Sequence, residues 1–171
     1  MYKRQGGAKG LGKLRAEKDV DPGQWFFKAH FFQDPVQPGS LGIEAMIQLL
    51  QWYMLETGMD AGIVSPRFEG LARDLPLTWK YRGQVTPKNR LITTTLQITE
   101  AGHDSRGAYA VADASLWVDG KRIYEATNLG MRIVSDPGGA EPRARESAGN
   151  VVVLDPKQDR WLSDHCPTWT L

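Results

Sequence analysis

From Leu41 onward, apolar side chains stand at Leu41, Ala45, Met46, Leu49, Leu50, Tyr53 and Met54, with Ile43, Ile47 and Trp52 widening the stripe. The helical spacing predicts a helix that begins near Ser40 or Leu41, runs to about Glu56 and ends near Gly58. A helix apolar around most of its circumference has to be buried on most sides. At 171 residues the chain holds one ordinary domain with a real core and little more. The cover for the helix therefore has to come from the rest of a short sequence.

That cover is written in a different period. Leu75, Leu77, Trp79 and Tyr81 alternate with polar or small neighbours, Ile92, Thr94, Leu96 and Ile98 do so again, and Ala108 to Trp117 and Arg122 to Val134 continue the pattern. These are at least four strands. Asp119-Gly120 between the last two is a two-residue hairpin signal, because both central positions of a type I′ turn need positive φ. The segments Gln84 to Asn89 and Glu100 to Arg106 are the other expected turns. One long buried helix followed by an antiparallel meander is an α+β pattern, and the simplest way to bury the helix is to wrap the sheet around it. The expected architecture is a hot-dog fold: a long central helix enclosed by a sheet that includes Leu75 to Arg82 and Tyr109 to Val134.

Outside this unit the chain is less regular. A Gly- and Lys-rich lead (Gly6 to Lys18) ends at the turn Asp21-Pro22-Gly23, before the aromatic run Trp25-Phe26-Phe27. Asp34-Pro35-Val36-Gln37-Pro38-Gly39 is expected to be a rigid loop, since two prolines and a glycine forbid a regular helix or a central strand. Met1 to Gln5 resembles the translated end of a sequencing-library transposon adapter and is excluded from the fold unit, which is taken as residues 6–134. Residues 135–157 are expected to be a linker, with Asp136 to Gly149, rich in Pro and Gly, poorly ordered. The chain stops at Leu171 inside the apolar stretch Trp161 to Leu171, which is the expectation for a fragment of a longer protein.

Charge and cysteine content narrow the partners. With 21 Lys plus Arg against 20 Asp plus Glu the net charge is +1, so nothing marks the chain for nucleic acid. The single cysteine, Cys166, excludes an internal disulfide and a Cys-cluster zinc site. No apolar run approaches the roughly 20 residues of a membrane span, and no secretory signal opens the chain. A cytoplasmic location is expected.

The segment from Trp25 to Met46, WFFKAHFFQDPVQPGSLGIEAM, resembles the active-site segment of the bacterial β-hydroxyacyl-acyl-carrier-protein dehydratases of the 3-hydroxydecanoyl (FabA-like) type. Arg82-Gly83-Gln84-Val85-Thr86-Pro87, Ala112-Asp113 and Val118-Asp119-Gly120-Lys121-Arg122-Ile123-Tyr124 resemble that family's strand motifs in the same order, so the resemblance extends from about residue 20 to 134. The first segment is most similar to the dehydratase region of polyunsaturated fatty acid synthases. The resemblance implies loss of water from a β-hydroxyacyl thioester carried on the phosphopantetheine of an acyl carrier protein, with no other cofactor and no metal.

Such a reaction needs a base for the α-proton, an acid for the departing hydroxyl and donors for the thioester oxygen. A histidine that titrates near neutral pH can be the base, and the resemblance assigns that role to His30. Taken alone, a histidine in an aromatic loop need have no reactive role; the whole segment singles it out. Gly39 matches the family's oxyanion donor, and it stands where the unpaired N–H groups and positive dipole end of the helix converge. Lacking a Cβ, it also lets an oxygen approach closely. Val36 matches the position whose backbone carbonyl orients the histidine. Glu44 matches the carboxylate, although the decanoyl type carries aspartate there; an acid in a first helical turn is otherwise favoured by the dipole. In the family the histidine of one hot dog works with the carboxylate of a second, so His30 and Glu44 are expected to serve two different sites of a homodimer or tandem pair.

Ser40 stands where the decanoyl type often has cysteine. Asp34 is expected to fix the Pro-rich loop through its backbone, His103 to be an uninvolved turn residue, and Lys80 and Arg82 to face solvent or meet the carrier protein. Trp161-Leu162-Ser163-Asp164-His165 resembles the opening of the polyketide-synthase kind of dehydratase, so residues 158–171 are expected to begin a second unit. A non-catalytic hot dog that pairs with or scaffolds an active neighbour is the alternative reading, and thioester hydrolysis is a third.

Overall fold

The computed structural model describes residues 2–4, 6–70 and 76–136. The linker expected over Asp136 to Gly149, apart from Asp136 itself, and the expected second unit at 158–171 lie outside the described residues, as does Leu75.

In chain order the elements are β1 (Tyr2–Arg4), β2 (Lys13–Asp19), α1 (Phe26–Ala29), α2 (Gly39–Glu56), β3 (Pro66–Glu69), β4 (Thr78–Tyr81), β5 (Leu91–Asp104), β6 (Gly107–Val118) and β7 (Lys121–Ser135). The strands form one sheet in the order β1-β2-β5-β6-β7-β3, with β4 also paired to β7. Every pairing is antiparallel. The sheet curls around α2, which packs against β2, β5, β6 and β7. Met46, Leu50 and Met54 are wholly buried, and Leu49 and Tyr53 nearly so, which is the burial their spacing demands. This is the hot-dog fold. β1 lies within the residues that resemble adapter sequence and adds three backbone pairs to the edge of β2.

Curvature enters the sheet at irregularities. Register shifts fall between Ile98 and Glu100, between Ala112 and Ala114, and between Leu116 and Trp117, and each extra residue bends its strand and tightens the local twist. The first of these corrects the expected turn over Glu100 to Arg106. β5 instead continues to Asp104, and the reversal is confined to Ser105 and Arg106, held by the Arg106 backbone N–H donating to Asp104 Oδ1 at 2.8 Å. His103 is accordingly a strand residue opposite Ala108, its Nε2 3.3 Å from the Met59 carbonyl oxygen. The Gly- and Lys-rich lead likewise contains β2, which places Leu14 in the core and Ala16 against it.

Asp119 and Gly120 adopt φ of 49° and 83°, the signs a type I′ turn requires. Asp119 also ties this hairpin to the start of β5. Its Oδ1 accepts from the Arg90 and Leu91 backbone N–H groups at 3.0 and 2.9 Å, and its Oδ2 accepts from Asn89 Nδ2 at 3.0 Å. The Asn89 amide and the two backbone donors hold the Asp119 carboxyl below its ordinary pKa. A depressed carboxylate contributes stability that is present above the unfolded pKa and is lost as pH falls through the folded one. Asp119→Asn should therefore lower the melting temperature near neutral pH and flatten its decline as pH falls through the ordinary aspartate range and below. Parallel melting curves for the two proteins across that range would contradict this role.

At the first turn of α2 the helix touches aromatic rings rather than aliphatic ones. An added Cβ at Gly42 would lie 1.9 Å from Tyr124 Cε2, so the buried ring rests directly on the glycine backbone. In an open helix Gly→Ala stabilises by about 1 kcal/mol. Here Gly42→Ala should destabilise by about 1–3 kcal/mol, because the ring has to move within a packed core. Denaturant unfolding measures it, and an unchanged or higher midpoint would mean that the ring is free to yield.

Candidate active site

His30 closes the single turn of α1, its backbone N–H donating to the Phe26 carbonyl at 3.0 Å. Phe26 and Phe27 anchor that turn in the core, their rings edge to face with centroids 4.6 Å apart. The imidazole is half-buried, and its Nδ1 lies 3.1 Å from the Val36 carbonyl oxygen. A carbonyl only accepts, so Nδ1 carries the proton of the neutral ring and Nε2 is left as the acceptor.

The loop that presents Val36 is fixed from both sides. Its own N–H donates to the Asp34 carbonyl at 2.9 Å, and the Gln37 N–H donates to the Val85 carbonyl at 2.9 Å. Pro35 and Pro38 limit the backbone further, and the Val36 side chain is buried. Asp34 meets the loop through its backbone carbonyl, and Val36 turns its own carbonyl to His30.

The loop delivers the chain into α2, which starts at Gly39, with Pro38 as N-cap and no side-chain cap. The expected start at Ser40 or Leu41 is thus one residue or two late, since a loop glycine in sequence becomes the first helical residue. Gly39 is half-buried, and a Cβ there would lie 2.8 Å from Tyr81 Cε2. Glu44, in the second turn, is half-buried and accepts from Gln48 Nε2 at 3.0 Å. Hence one short segment carries His30 and Val36 in contact and leads directly into Gly39 at the start of α2. Among the described residues no hydrogen bond or ion pair joins Glu44 to His30.

Two features here are not read from the sequence. Trp79, Tyr81 and Tyr124 form a three-ring cluster on the first turn of α2, with Tyr81 and Tyr124 stacked at 4.8 Å and 29° and Trp79 edge-on to both. Tyr124 is 1% exposed, and its hydroxyl has no hydrogen-bond partner among the described residues. An unmade bond of this kind costs about 1–3 kcal/mol. Burial pushes the Tyr124 pKa far up, and the neighbouring Tyr81 adds to the push. The VDGKRIY motif marks Tyr124 by position, but only the packing reveals its orphaned oxygen. The second feature is exposed aromatic surface around His30: Phe31, tilted against the imidazole with centroids 4.0 Å apart, and Phe32, 91% exposed, lie beside it. Lys80 and Arg82 face solvent as expected.

Comparison with known proteins bears on this arrangement. Residues 1–127 match the family model described as the FabA-like domain. The chain is 37% identical over 147 residues to a polyunsaturated fatty acid synthase subunit of Thraustochytrium sp., an alignment that covers 85% of this chain and 9% of that protein. The chain thus spans a small part of that relative's length. Among solved structures, a candidate thioesterase from Pseudomonas aeruginosa aligns with a TM-score of 0.49 at 11% identity, covering 77% of this chain and 91% of that one. An (R)-hydratase from A. caviae aligns with a TM-score of 0.37 at 16% identity, covering 73% and 94%. Membership in a family rests on the sequence matches alone.

The His30 geometry has a direct spectroscopic consequence. Long-range proton–nitrogen correlation spectra recorded where the ring is neutral should find the proton on Nδ1; a proton on Nε2 would mean that the contact with Val36 is not a hydrogen bond.

Proposed function

The chain belongs to the FabA-like domain family, and from that premise we propose that it removes water from β-hydroxyacyl thioesters on an acyl carrier protein, giving enoyl thioesters, with His30 as base. The observation that carries this reading is the bond from His30 Nδ1 to the Val36 carbonyl, which frees Nε2 to take a proton at the entrance to the helix that begins with Gly39. Nε2 removes the α-proton. The thioester oxygen gains charge and is met by the Gly39 backbone N–H, at the positive end of an 18-residue helix. The β-hydroxyl leaves as water after receiving a proton from a carboxylic acid of a second hot-dog unit, which is Glu44 where that unit is another copy of this chain.

This division of labour agrees with the separate placement of Glu44, whose carboxylate meets Gln48 and not His30 in its own chain. Exposed Trp25, Phe31 and Phe32 favour a further unit over this face, since a run of large apolar side chains beside a site marks an interaction surface. The second unit is another copy or a tandem hot dog of the same protein. The substrate arrives on the phosphopantetheine of the carrier protein, and the chemistry calls for no other cofactor and no metal. The similarity to part of a polyunsaturated fatty acid synthase supports a place in fatty acid or polyunsaturated fatty acid biosynthesis, and we take the compartment to be the cytoplasm. Among the described residues no helix is long and apolar enough to cross a membrane.

The test is conversion of hydroxyacyl to enoyl carrier protein, followed by mass, with the partner unit present and any second dehydratase site inactivated. His30→Ala should lower turnover by about 10²–10⁴-fold, the range for loss of a positioned base. Glu44→Gln should impair the site its carboxylate reaches, which in a homodimer is the His30 site of the other copy. His103→Ala should leave turnover near wild type. Folded His30→Ala with wild-type turnover would remove His30 as base and favour a non-catalytic pairing module instead.

A further inference from the structure

The buried hydroxyl of Tyr124 is a polar group that the proposed chemistry does not use. Its ring rests on Gly42, and the ring stacked on it, Tyr81, abuts Gly39 one helical turn earlier. Two glycines on one face of the first turn of α2 thus remove the side chains that would separate these phenols from the helix backbone. The end of α2 that collects positive potential and the orphaned hydroxyl share one small region.

The ring stacked on Tyr124, that of Tyr81, is itself half-exposed. Tyr81 ends β4, a four-residue strand that is hydrogen-bonded to β7 alone. The Tyr81 ring is therefore held by one short strand pairing, whereas Tyr124 lies in the fifteen-residue β7, paired with Leu116 of β6 on its other side. A small displacement of Tyr81 would bring an incoming oxygen to both the Tyr124 hydroxyl and the start of α2.

We propose that Tyr124 is a substrate-binding residue whose hydroxyl donates a hydrogen bond to an oxygen of the bound β-hydroxyacyl thioester, beside Gly39. The inference rests on the dehydratase reading and extends its binding site to a residue on β7. The free protein keeps the hydroxyl unpartnered, and the substrate completes it.

Tyr124→Phe keeps the ring against Gly42 and removes one oxygen. The variant should melt at or above the wild-type temperature, because a buried hydroxyl without a partner is gone, yet its kcat/KM for dehydration should fall about tenfold, the worth of one hydrogen bond. Binding of an unreactive β-hydroxyacyl pantetheine amide, measured by calorimetry, should weaken by about the same factor. Unchanged kcat/KM and unchanged affinity for the amide would overturn the proposal and leave Tyr124 a structural residue. Should the variant fail to fold, wild-type protein labelled with carbon-13 at Tyr124 Cζ decides: a resonance that shifts on adding the amide supports the bond, and one that stays fixed overturns it. Wild-type turnover separates the two readings. Without it the dehydratase reading falls and this inference with it; with it, an unaltered Tyr124→Phe removes this inference alone.

Discussion

Burial of α2 by the sheet is the constraint on which the other features depend. Met46, Leu50 and Met54 are removed from water completely, and burying each such side chain contributes about 1.5–3 kcal/mol. The helix can achieve this only where strands reach it from several directions. The sheet must therefore curl, and the bulges in β5 and β7 allow a single sheet to do so. Enclosing the body of the helix leaves its N-terminal end as the place where unpaired backbone donors and a rigid anchor coincide. The core thus fixes the position of Gly39 even though Gly39 contributes little to the core.

Positioning of His30 follows from the same anchor by a short covalent path. Phe26 and Phe27 hold one end of the segment in the core, and α2 holds the other. Between them, Pro35, Pro38 and the bond from Gln37 to Val85 leave the loop few conformations. The imidazole is then oriented by a backbone carbonyl. This arrangement tolerates change in the Val36 side chain better than change in the path of the loop, and it explains why composition carries so little of the site.

Legibility in the sequence tracks how local each determinant is. The helix is readable almost to the residue because its period persists for five turns with no competing signal. β5 is readable only to Ile98, because the register shift before Glu100 reverses the alternation and a bent strand then looks like a turn. β2 escapes notice because its outward residues are charged and Leu14 is its one fully buried side chain. His30, Val36 and Gly39 are singled out only by a whole-segment resemblance. Val36 acts through a carbonyl that every residue possesses, so its role could not be read from its side chain. Tyr124 stands in a legible motif, but an unpaired oxygen is a property of packing and has no sequence signature.

The aromatic cluster links these levels. Trp79 and Tyr81 alternate as a core-facing strand would, yet both remain substantially exposed, because β4 lies at the open end of the curl where the first turn of α2 has little to cover it. A glycine at 42 lets Tyr124 fill that turn from beneath, and a glycine at 39 lets Tyr81 approach from the side. Had either position carried a side chain, the rings would stand off and the helix end would open to water, weakening any charge it stabilises. The two glycines therefore serve packing and electrostatics together: they bring low-dielectric aromatic walls to the backbone donors while adding no bulk at the helix end.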